Sequence, residues 1–278
     1  MDLVENAMTK KVVTCASTNT ILKVRRLMIT HHISRVVITD VNNKPTGIIT
    51  QEDVVNFLLS DKSKRAMEEI RAEEVMSRNL VTAKPDTSIS DVAKTMLKKE
   101  ISSLVIVNDE GKLEGIVTKT DITNCCMYRK GIYKVQDFMT PDPIAVTPSQ
   151  SVFLVAALLS EHKISRVVVI DKKKKPVGII TLTDMTLLSK LLRPAQVVKE
   201  GKPVVLKGRV ALPKLVHLLS AGDIMTPDPV SINKDSDLAD AARLMEKHGI
   251  SGLPVTDNEK LVGIITKSDI VRAVASKE

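Results

Sequence analysis

The sequence has 278 residues, a net charge of +8 at neutral pH and 43% hydrophobic residues, but only 2% aromatic residues and no tryptophan. This composition is typical of a folded protein with an aliphatic core, and it disfavours nucleic-acid binding by base stacking. Three cysteines without spaced pairs disfavour a disulfide framework or a zinc site. Neither a membrane-spanning apolar run nor a secretory signal is visible, which predicts a cytoplasmic protein without membrane contact.

The basic surplus is concentrated between residues 135 and 220. Within it, residues 191–220 hold six basic side chains against one acid, Glu200. Such a segment suits an anionic partner, including nucleic acid, or is a solvated linker. No helix-turn-helix pattern or aromatic platform accompanies it, so nucleic-acid binding is the less favoured interpretation.

Four similar segments follow one another along the chain, each beginning at a methionine followed by threonine or serine. An isoleucine followed by serine comes 25 residues after each methionine, and an aspartate that closes a Gly-Ile-(Ile/Val)-Thr-x-x-Asp run comes 44 or 45 residues after it. This constant register identifies an internal repeat. The starting methionines are Met8, Met76, Met139 and Met225.

Within each repeat, apolar residues at helical spacing between the methionine and the isoleucine predict an amphipathic helix. Ser88 and Asp91 predict a capping box where the helix of the second repeat begins. Two short apolar strands joined by a polar turn follow, and the second of them carries the glycine-headed run. Three histidines are predicted to end the helices rather than to bind metal: His31, His162 and His248.

One repeat builds too small a sheet to be stable alone, so the copies are expected to pair. The sequence therefore predicts an α/β fold made of α+β repeats, each a small β-sheet with two helices. The predicted boundaries are 1–60, 72–128, 135–190 and 221–278 for the four repeats, and 191–220 for the basic linker.

Each repeat closes with a threonine and an aspartate three residues apart, at a strand-to-helix corner. A carboxylate can accept two hydrogen bonds from a ribose diol, and a hydroxyl beside free N–H groups at a helix start suits a phosphate. The same spacing is also a helix cap worth about 1 kcal/mol, so both interpretations are open. The pairs are Thr50 and Asp53, Thr118 and Asp121, Thr181 and Asp184, and Thr266 and Asp269.

These motifs together resemble the CBS domain, the cystathionine-β-synthase-type repeat, over nearly the whole chain. The resemblance is carried by the Met-Thr-Pro-Asp-Pro runs from Met139 and Met225, the Ile-Ser-Arg-Val-Val runs and the four corners. Such repeats pair into Bateman modules. Four repeats without a catalytic domain resemble the gamma subunit of AMP-activated protein kinase and stand-alone prokaryotic CBS proteins. The resemblance implies two Bateman modules in a disc-like pseudo-dimer that binds AMP, ADP or ATP between paired repeats.

The resemblance also implies roles for particular residues: the corner aspartates grip ribose hydroxyls and the corner threonines reach the phosphate. Arg35 and Arg166 follow Ile-Ser in the first and third repeats and are implied to face phosphates. Ser103 and Gly252 replace them in the other two repeats, so the sites are expected to differ; a solvated or ion-paired arginine is the competing interpretation. The remaining implied binding residues are Thr14, Thr82 and Ser231 beside adenine and ribose, where the third repeat has Ala145, and Ile33, Ile101, Ile164 and Ile250.

The sequence thus predicts a non-catalytic sensor of adenosine nucleotides that signals to a partner protein or to a second copy of the chain. No metal cluster, activated nucleophile or Walker-type loop points to an enzyme. S-adenosylmethionine or another adenosyl ligand is an open alternative, because it would use the ribose contact without needing Arg35 and Arg166. Nucleic-acid binding through the basic linker is the other.

Overall fold

The structure is a computed structural model that describes residues 3–60, 65–185, 197–199, 202–204 and 219–276. The chain divides into two compact units, Met1–Arg129 with Ile270–Glu278, and Lys130–Asp269. The first unit contains the first two repeats, and the second contains the third repeat and most of the fourth. Most of the predicted basic linker lies outside the described residues, including Arg193, Lys207, Arg209 and Lys214.

The first two repeats have the same order of elements. The first repeat consists of α1 (Val4–Ala7), β1 (Thr14–Ala16), α2 (Ile21–Thr30), β2 (Arg35–Thr39), β3 (Pro45–Thr50) and α3 (Gln51–Ser60). The second consists of α4 (Ala72–Val75), β4 (Thr82–Ala83), α5 (Ile89–Lys98), β5 (Ser103–Val107), β6 (Leu113–Thr118) and α6 (Lys119–Cys126).

The last two repeats follow the same plan with one extra short strand each. The third has α7 (Val135–Phe138), β7 (Thr140–Pro141), β8 (Ala145–Val146), α8 (Val152–Glu161), β9 (Arg166–Ile170) and β10 (Pro176–Thr181), after which residues 182–185 are helical. A hairpin of β11 (Val197–Lys199) and β12 (Lys202–Val204) lies in the predicted linker. The fourth has α9 (Ala221–Ile224), β13 (Thr226–Pro227), β14 (Ile232–Asn233), α10 (Leu238–Lys247), β15 (Gly252–Asp257), β16 (Lys260–Thr266) and α11 (Lys267–Ala275).

The predicted start of one long helix and the predicted ends of three others agree with the structure. Ser88 accepts a hydrogen bond from the backbone N–H of Asp91 at 3.0 Å, which confirms the predicted cap at the start of α5. The three predicted histidines form the C-caps of α2, α8 and α10, so they are helix-end residues: His31, His162 and His248. The buried residues of these helices follow the predicted apolar stripe, as with Ile21, Val24 and Met28 in α2.

Each repeat forms a small sheet of three main strands. The strand before the long helix pairs parallel with the strand after it, and that strand pairs antiparallel with the strand that leads to the corner. In the second unit each sheet gains a two-residue strand from the other repeat: β13 pairs with β10, and β7 pairs with β16. The first unit shows the same exchange as single bridges, Thr9 with Ile116 and Ser77 with Ile48. The repeats therefore pair, as predicted, and the structure shows the partners: the first pairs with the second and the third with the fourth.

A four-residue helix that the sequence analysis did not predict precedes each starting methionine. The N–H group at its start donates to a backbone carbonyl in the turn that precedes the long helix of the paired repeat. In the first unit Val4 donates to Thr87 at 2.9 Å and Ala72 donates to Asn19 at 2.8 Å. Because these helices satisfy their first N–H groups on the other repeat, neither repeat completes its structure alone.

The starting methionine of each repeat packs against the glycine that begins the Gly-Ile-(Ile/Val)-Thr-x-x-Asp run of the paired repeat. We call this residue the corner-strand glycine. A β-carbon built on Gly47 would lie 2.5 Å from the sulfur of Met76, and one built on Gly115 would lie 2.5 Å from the sulfur of Met8. In the second unit Gly178 faces Met225 and Gly263 faces Met139 in the same way. The methionine of the paired repeat thus leaves no space for a side chain at the glycine position.

We expect Gly47→Ala to lower the free energy of unfolding by about 1–3 kcal/mol through overpacking, and Met76→Ala to lower it by about 2–5 kcal/mol. The double variant should lose at least about 1 kcal/mol less than the sum, because the new methyl group enters the space that Met76 vacates. Denaturant unfolding of the full chain measures the cycle. Gly47→Ala combined with Met8→Ala is the matched control and should be additive; equal coupling in both cycles would contradict the proposed contact.

Candidate functional site

The four Thr-x-x-Asp corners all form helix caps. In each, both the backbone N–H and the hydroxyl of the threonine donate to Oδ2 of the aspartate. The distances are 2.7 and 2.6 Å for Thr50 to Asp53, and 2.7 Å for both bonds at each of the other three corners. The capping interpretation from the sequence is therefore correct for every repeat.

Capping occupies one oxygen of the carboxylate. For Asp53, Asp121 and Asp184, the hydrogen bonds found within the described part of the chain all use Oδ2. These three residues are half-buried, whereas Asp269 is only 5% exposed. A half-buried carboxylate that uses one oxygen for the cap retains Oδ1 as an acceptor for a ligand hydroxyl, so capping and binding are compatible at these three corners.

A cavity of about 280 Å³ in the first unit brings the corner of the second repeat together with the first repeat. We call it the Arg35 cleft. Its lining includes Thr118 and Asp121 from the second repeat, and Arg35 and Ile33 from the first. Its remaining lining residues are Thr9, Lys11, Val12, Val13, His32, Ser34, Val37, Ile116 and Thr120.

A cavity of about 220 Å³ in the second unit has a related plan, with the corner of the third repeat opposite the fourth repeat. We call it the Arg166 cleft. Three of the residues that the sequence analysis singled out line it: Thr181, Ile250 and Arg166. Its other lining residues are Ile179, Pro229, Val230, Gly249, Ser251, Gly252 and Pro254.

Arg35 and Arg166 each reach across to the paired repeat. Arg35 donates to the hydroxyl of Ser102 at 3.1 Å, and Arg166 donates to the hydroxyl of Ser251 at 2.9 Å. Burial lowers the pKa of the Arg35 guanidinium from its usual value, and the nearby carboxylate of Asp121 acts in the opposite direction. The pKa of Arg166 is lowered by burial in the same way, opposed by Asp269. Each arginine thus lies beside the corner of the other repeat.

The arginine of the third repeat lies against the small residue at the equivalent position of the fourth. A β-carbon on Gly252 would collide with the Nη1 atom of Arg166 and lie 3.1 Å from its Cζ atom. The position equivalent to Gly252 in the second repeat is Ser103, where the first repeat has Arg35. Each unit thus combines one arginine with one small residue at these positions.

Several predicted binding residues do not line these two cavities. Thr14 lies on β1, but the cavity wall is formed by Val12 and Val13, earlier in the chain. Ser231 likewise follows the lining residues Pro229 and Val230. Neither cavity includes the others in its lining: Thr50, Asp53, Thr82, Ile101, Ile164, Asp184, Thr266 and Asp269.

The fold brings to the Arg35 cleft further polar residues that were not predicted from the sequence. Thr9 and Lys11 directly follow the starting methionine, and His32 and Ser34 flank the predicted isoleucine. His32 has a positive φ of 52°. Their proximity to the repeated motifs was the available signal, but their role depends on which repeat lies opposite.

The chain belongs to the CBS domain family. The model of this family matches residues 4–60, 72–128, 135–189 and 221–276, so the chain consists of four CBS domains paired as two Bateman modules.

Similar proteins extend over the whole length. Uncharacterized protein MJ1225 of Methanocaldococcus jannaschii is 30% identical over 285 residues, which cover 97% of each chain. Its crystal structure, described as that of a proposed archaeal homologue of gamma-AMPK, superposes with a TM-score of 0.72 over 98% of this chain and 99% of that one, at 27% identity. An uncharacterized conserved protein from Pyrococcus horikoshii has the same fold, with a TM-score of 0.68, 20% identity and coverage of 98% and 99%.

Among the residues that the structure describes, no helix is long and apolar enough to cross a membrane. Within the same residues, no group of three or more histidine, cysteine, aspartate or glutamate side chains could hold a metal ion.

We expect Gly252→Arg to lower the free energy of unfolding by about 1–3 kcal/mol, because a second guanidinium would meet Arg166. The swapped variant Arg166→Gly/Gly252→Arg should recover to within about 1 kcal/mol of the parent, since one arginine again faces one glycine. Thermal unfolding of the three proteins measures this. A swapped variant as unstable as Gly252→Arg alone would show that the position tolerates only glycine for another reason.

Proposed function

We propose that the chain is a non-catalytic regulatory protein whose CBS domain pairs bind an adenosine nucleotide. The proposal is based on one observation: Thr118, Asp121 and Arg35 line the same cavity. The carboxylate oxygen Oδ1 can accept from a ribose hydroxyl, and the guanidinium can bind a phosphate in a bidentate manner. The family resemblance implies the same roles for these residue types.

The size and lining of the Arg35 cleft support a small ligand. Its volume of about 280 Å³ is near the lower end of ligand cavities. Apolar side chains from Val12, Val13 and Ile33 provide a surface for a base, and the polar residues lie around them. We therefore favour a nucleoside monophosphate such as AMP over ADP or ATP. The Arg166 cleft would bind a related ligand through Thr181.

Regulation would arise from the exchanged contacts between paired repeats. A ligand that touches both repeats of one unit changes the relative stability of their arrangements only if it binds one arrangement more tightly. The changed surface would then be read by a partner protein or by a second copy of the chain. S-adenosylmethionine is the second candidate ligand, since the Arg166 cleft combines a corner threonine with mainly uncharged residues.

Titration calorimetry with AMP, ADP, ATP and S-adenosylmethionine tests the proposal. Asp121→Ala should weaken binding of the preferred nucleotide at the Arg35 cleft by about tenfold or more, because one charged hydrogen-bond acceptor is worth about 1.5–3 kcal/mol. Folding of each variant is checked by its unfolding transition.

Asp223→Ala is the matched control for loss of a cap. Asp223 accepts hydrogen bonds from Ser220 at the start of α9, as a corner aspartate does from its threonine, but it lines neither cleft. It should leave nucleotide affinity unchanged. Absence of binding by all four compounds, or turnover of any of them, would refute the proposed function.

A further inference from the structure

A run of four lysines forms the turn between β9 and β10 of the third repeat. Lys172, Lys173, Lys174 and Lys175 are all exposed. Asp171 accepts hydrogen bonds from the backbone N–H groups of Lys173 and Lys175, at 2.8 and 2.9 Å. The four ammonium groups are therefore presented on a backbone that hydrogen bonds hold in place.

The first repeat builds the same turn with fewer lysines. Its sequence from Asp40 is Asp-Val-Asn-Asn-Lys-Pro, whereas the sequence from Asp171 is Asp-Lys-Lys-Lys-Lys-Pro. Asp40 accepts from the backbone N–H groups of Asn42 and Lys44 at 2.9 and 2.8 Å, which are the equivalents of the two bonds to Asp171. Formation of the turn therefore does not account for the three additional lysines.

Lys174 has a left-handed backbone conformation, with a φ of 63°. Asn43 and Gly111 occupy the equivalent positions of the first two repeats, with φ of 60° and 76°. The fourth turn is one residue shorter and has Asn258 and Glu259 at φ of 49° and 63°. Glycine and asparagine adopt this conformation more readily than lysine does. The third repeat thus has a lysine where the backbone favours another residue, which indicates a use for the charge.

In each unit the turn of one repeat is joined to the turn of the paired repeat. The backbone N–H of Leu261 donates to the carbonyl of Lys174 at 2.8 Å, and that of Leu113 donates to the carbonyl of Asn43 at 2.9 Å. The joined turns are residues 40–44 and 108–112 in the first unit, and residues 171–175 and 257–260 in the second. We call the joined turns of the second unit the lysine surface.

The lysine surface has more positive charge than the equivalent surface of the first unit. The joined turns of the first unit hold two lysines and three acidic residues, whereas the lysine surface holds five lysines and three acidic residues. Its acidic side chains are already engaged: Asp171 with the backbone of its own turn, Glu259 with Lys175 at 2.8 Å, and Asp257 with Lys234 at 2.7 Å. The remaining lysines give the surface an excess of positive charge, which attracts anions.

The size and composition of the lysine surface favour an acidic protein segment over a nucleic acid or a membrane. A duplex DNA site typically uses about 6–10 phosphate contacts and buries about 1,000–2,500 Å² of protein, more than two short turns provide. The two turns contain no aromatic side chain for base stacking and no apolar side chain that could enter a bilayer. Lysine ammonium groups on flexible stems act as point charges, which suits the carboxylates of an extended acidic segment.

We propose that the lysine surface binds a segment rich in aspartate and glutamate on a partner protein. Such a segment would contact both repeats of the second unit, so its affinity would depend on how the two repeats are arranged. This inference adds a class of partner to the proposed function, and it does not depend on which ligand the clefts bind.

A fluorescein-labelled oligoglutamate peptide is the probe. It is titrated with the full chain at low and at physiological salt while fluorescence anisotropy is recorded. The test variant Lys172→Val/Lys173→Asn/Lys174→Asn gives the third repeat the turn sequence of the first. Because the same chain already forms this turn at Asp40, we expect the variant to fold, and its unfolding transition checks this.

The matched control is Lys94→Gln/Lys98→Gln/Lys99→Gln, which removes three exposed lysines from the end of α5 in the first unit. Both variants have the same net charge, so a difference between them reports the location of the charge. We expect the turn variant to bind the peptide about tenfold more weakly than the parent at low salt, the combined effect of three solvated charge pairs. The control should lose about twofold or less, and higher salt should weaken binding by the parent.

Equal losses in the turn variant and the control, or no binding of the peptide by the parent chain, would overturn the inference. A short DNA duplex and phosphatidylserine vesicles are titrated in parallel. If either bound the parent more tightly than the peptide does, and lost that binding in the turn variant, the surface would belong to a nucleic acid or a membrane instead. The calorimetric titrations with nucleotides test the proposed function separately, so the two can fail independently.

Discussion

The contact between a starting methionine and the partner's corner-strand glycine is the constraint on which each unit depends. It occurs in both directions in both units, so the four methionines and four glycines form matched pairs. Ile70, Ala72 and Met76, which lead the second repeat, belong to the hydrophobic core of the first. Each repeat therefore lends apolar surface to its partner, and burial of that surface stabilises the pair instead of the single repeat. The clefts exist because this exchange holds the corner of one repeat opposite the first strand of the other.

The corner aspartates show how one residue can serve the fold and a site together. A carboxylate has two oxygens, and the cap needs only Oδ2. The threonine that donates to it also lies at the cavity wall in both clefts, as Thr118 and Thr181. Repetition of the corner in all four repeats is therefore explained by capping alone, and it does not by itself identify a binding site. What distinguishes Asp121 is its place in a cavity with basic groups opposite.

Local spacing in the sequence was sufficient to predict several features of each repeat. The helix stripe, the cap at Ser88, the helix-end histidines and the corner hydrogen bonds all involve residues within a few positions of each other, so their periodicity carries the information. The short helix before each methionine was missed because its first N–H groups are satisfied on the paired repeat. The lining roles of Lys11 and His32 were missed for the same reason. Thr14 was predicted from the family resemblance, but the cavity lining contains Val12 and Val13 instead.

The paired repeats of each unit differ at one position, where one repeat has an arginine and the other has a small residue. In the second unit the end of the Arg166 side chain occupies the space beside Gly252, so the arginine of one repeat packs over the small residue of the other. The first repeat has basic residues at Lys11 and His32, whereas the fourth has Asp228 and Gly249. A repeat fold whose four corners form the same cap thus produces clefts lined by different charged residues: Lys11, Arg35 and Asp121 in the first unit, and Arg166 in the second.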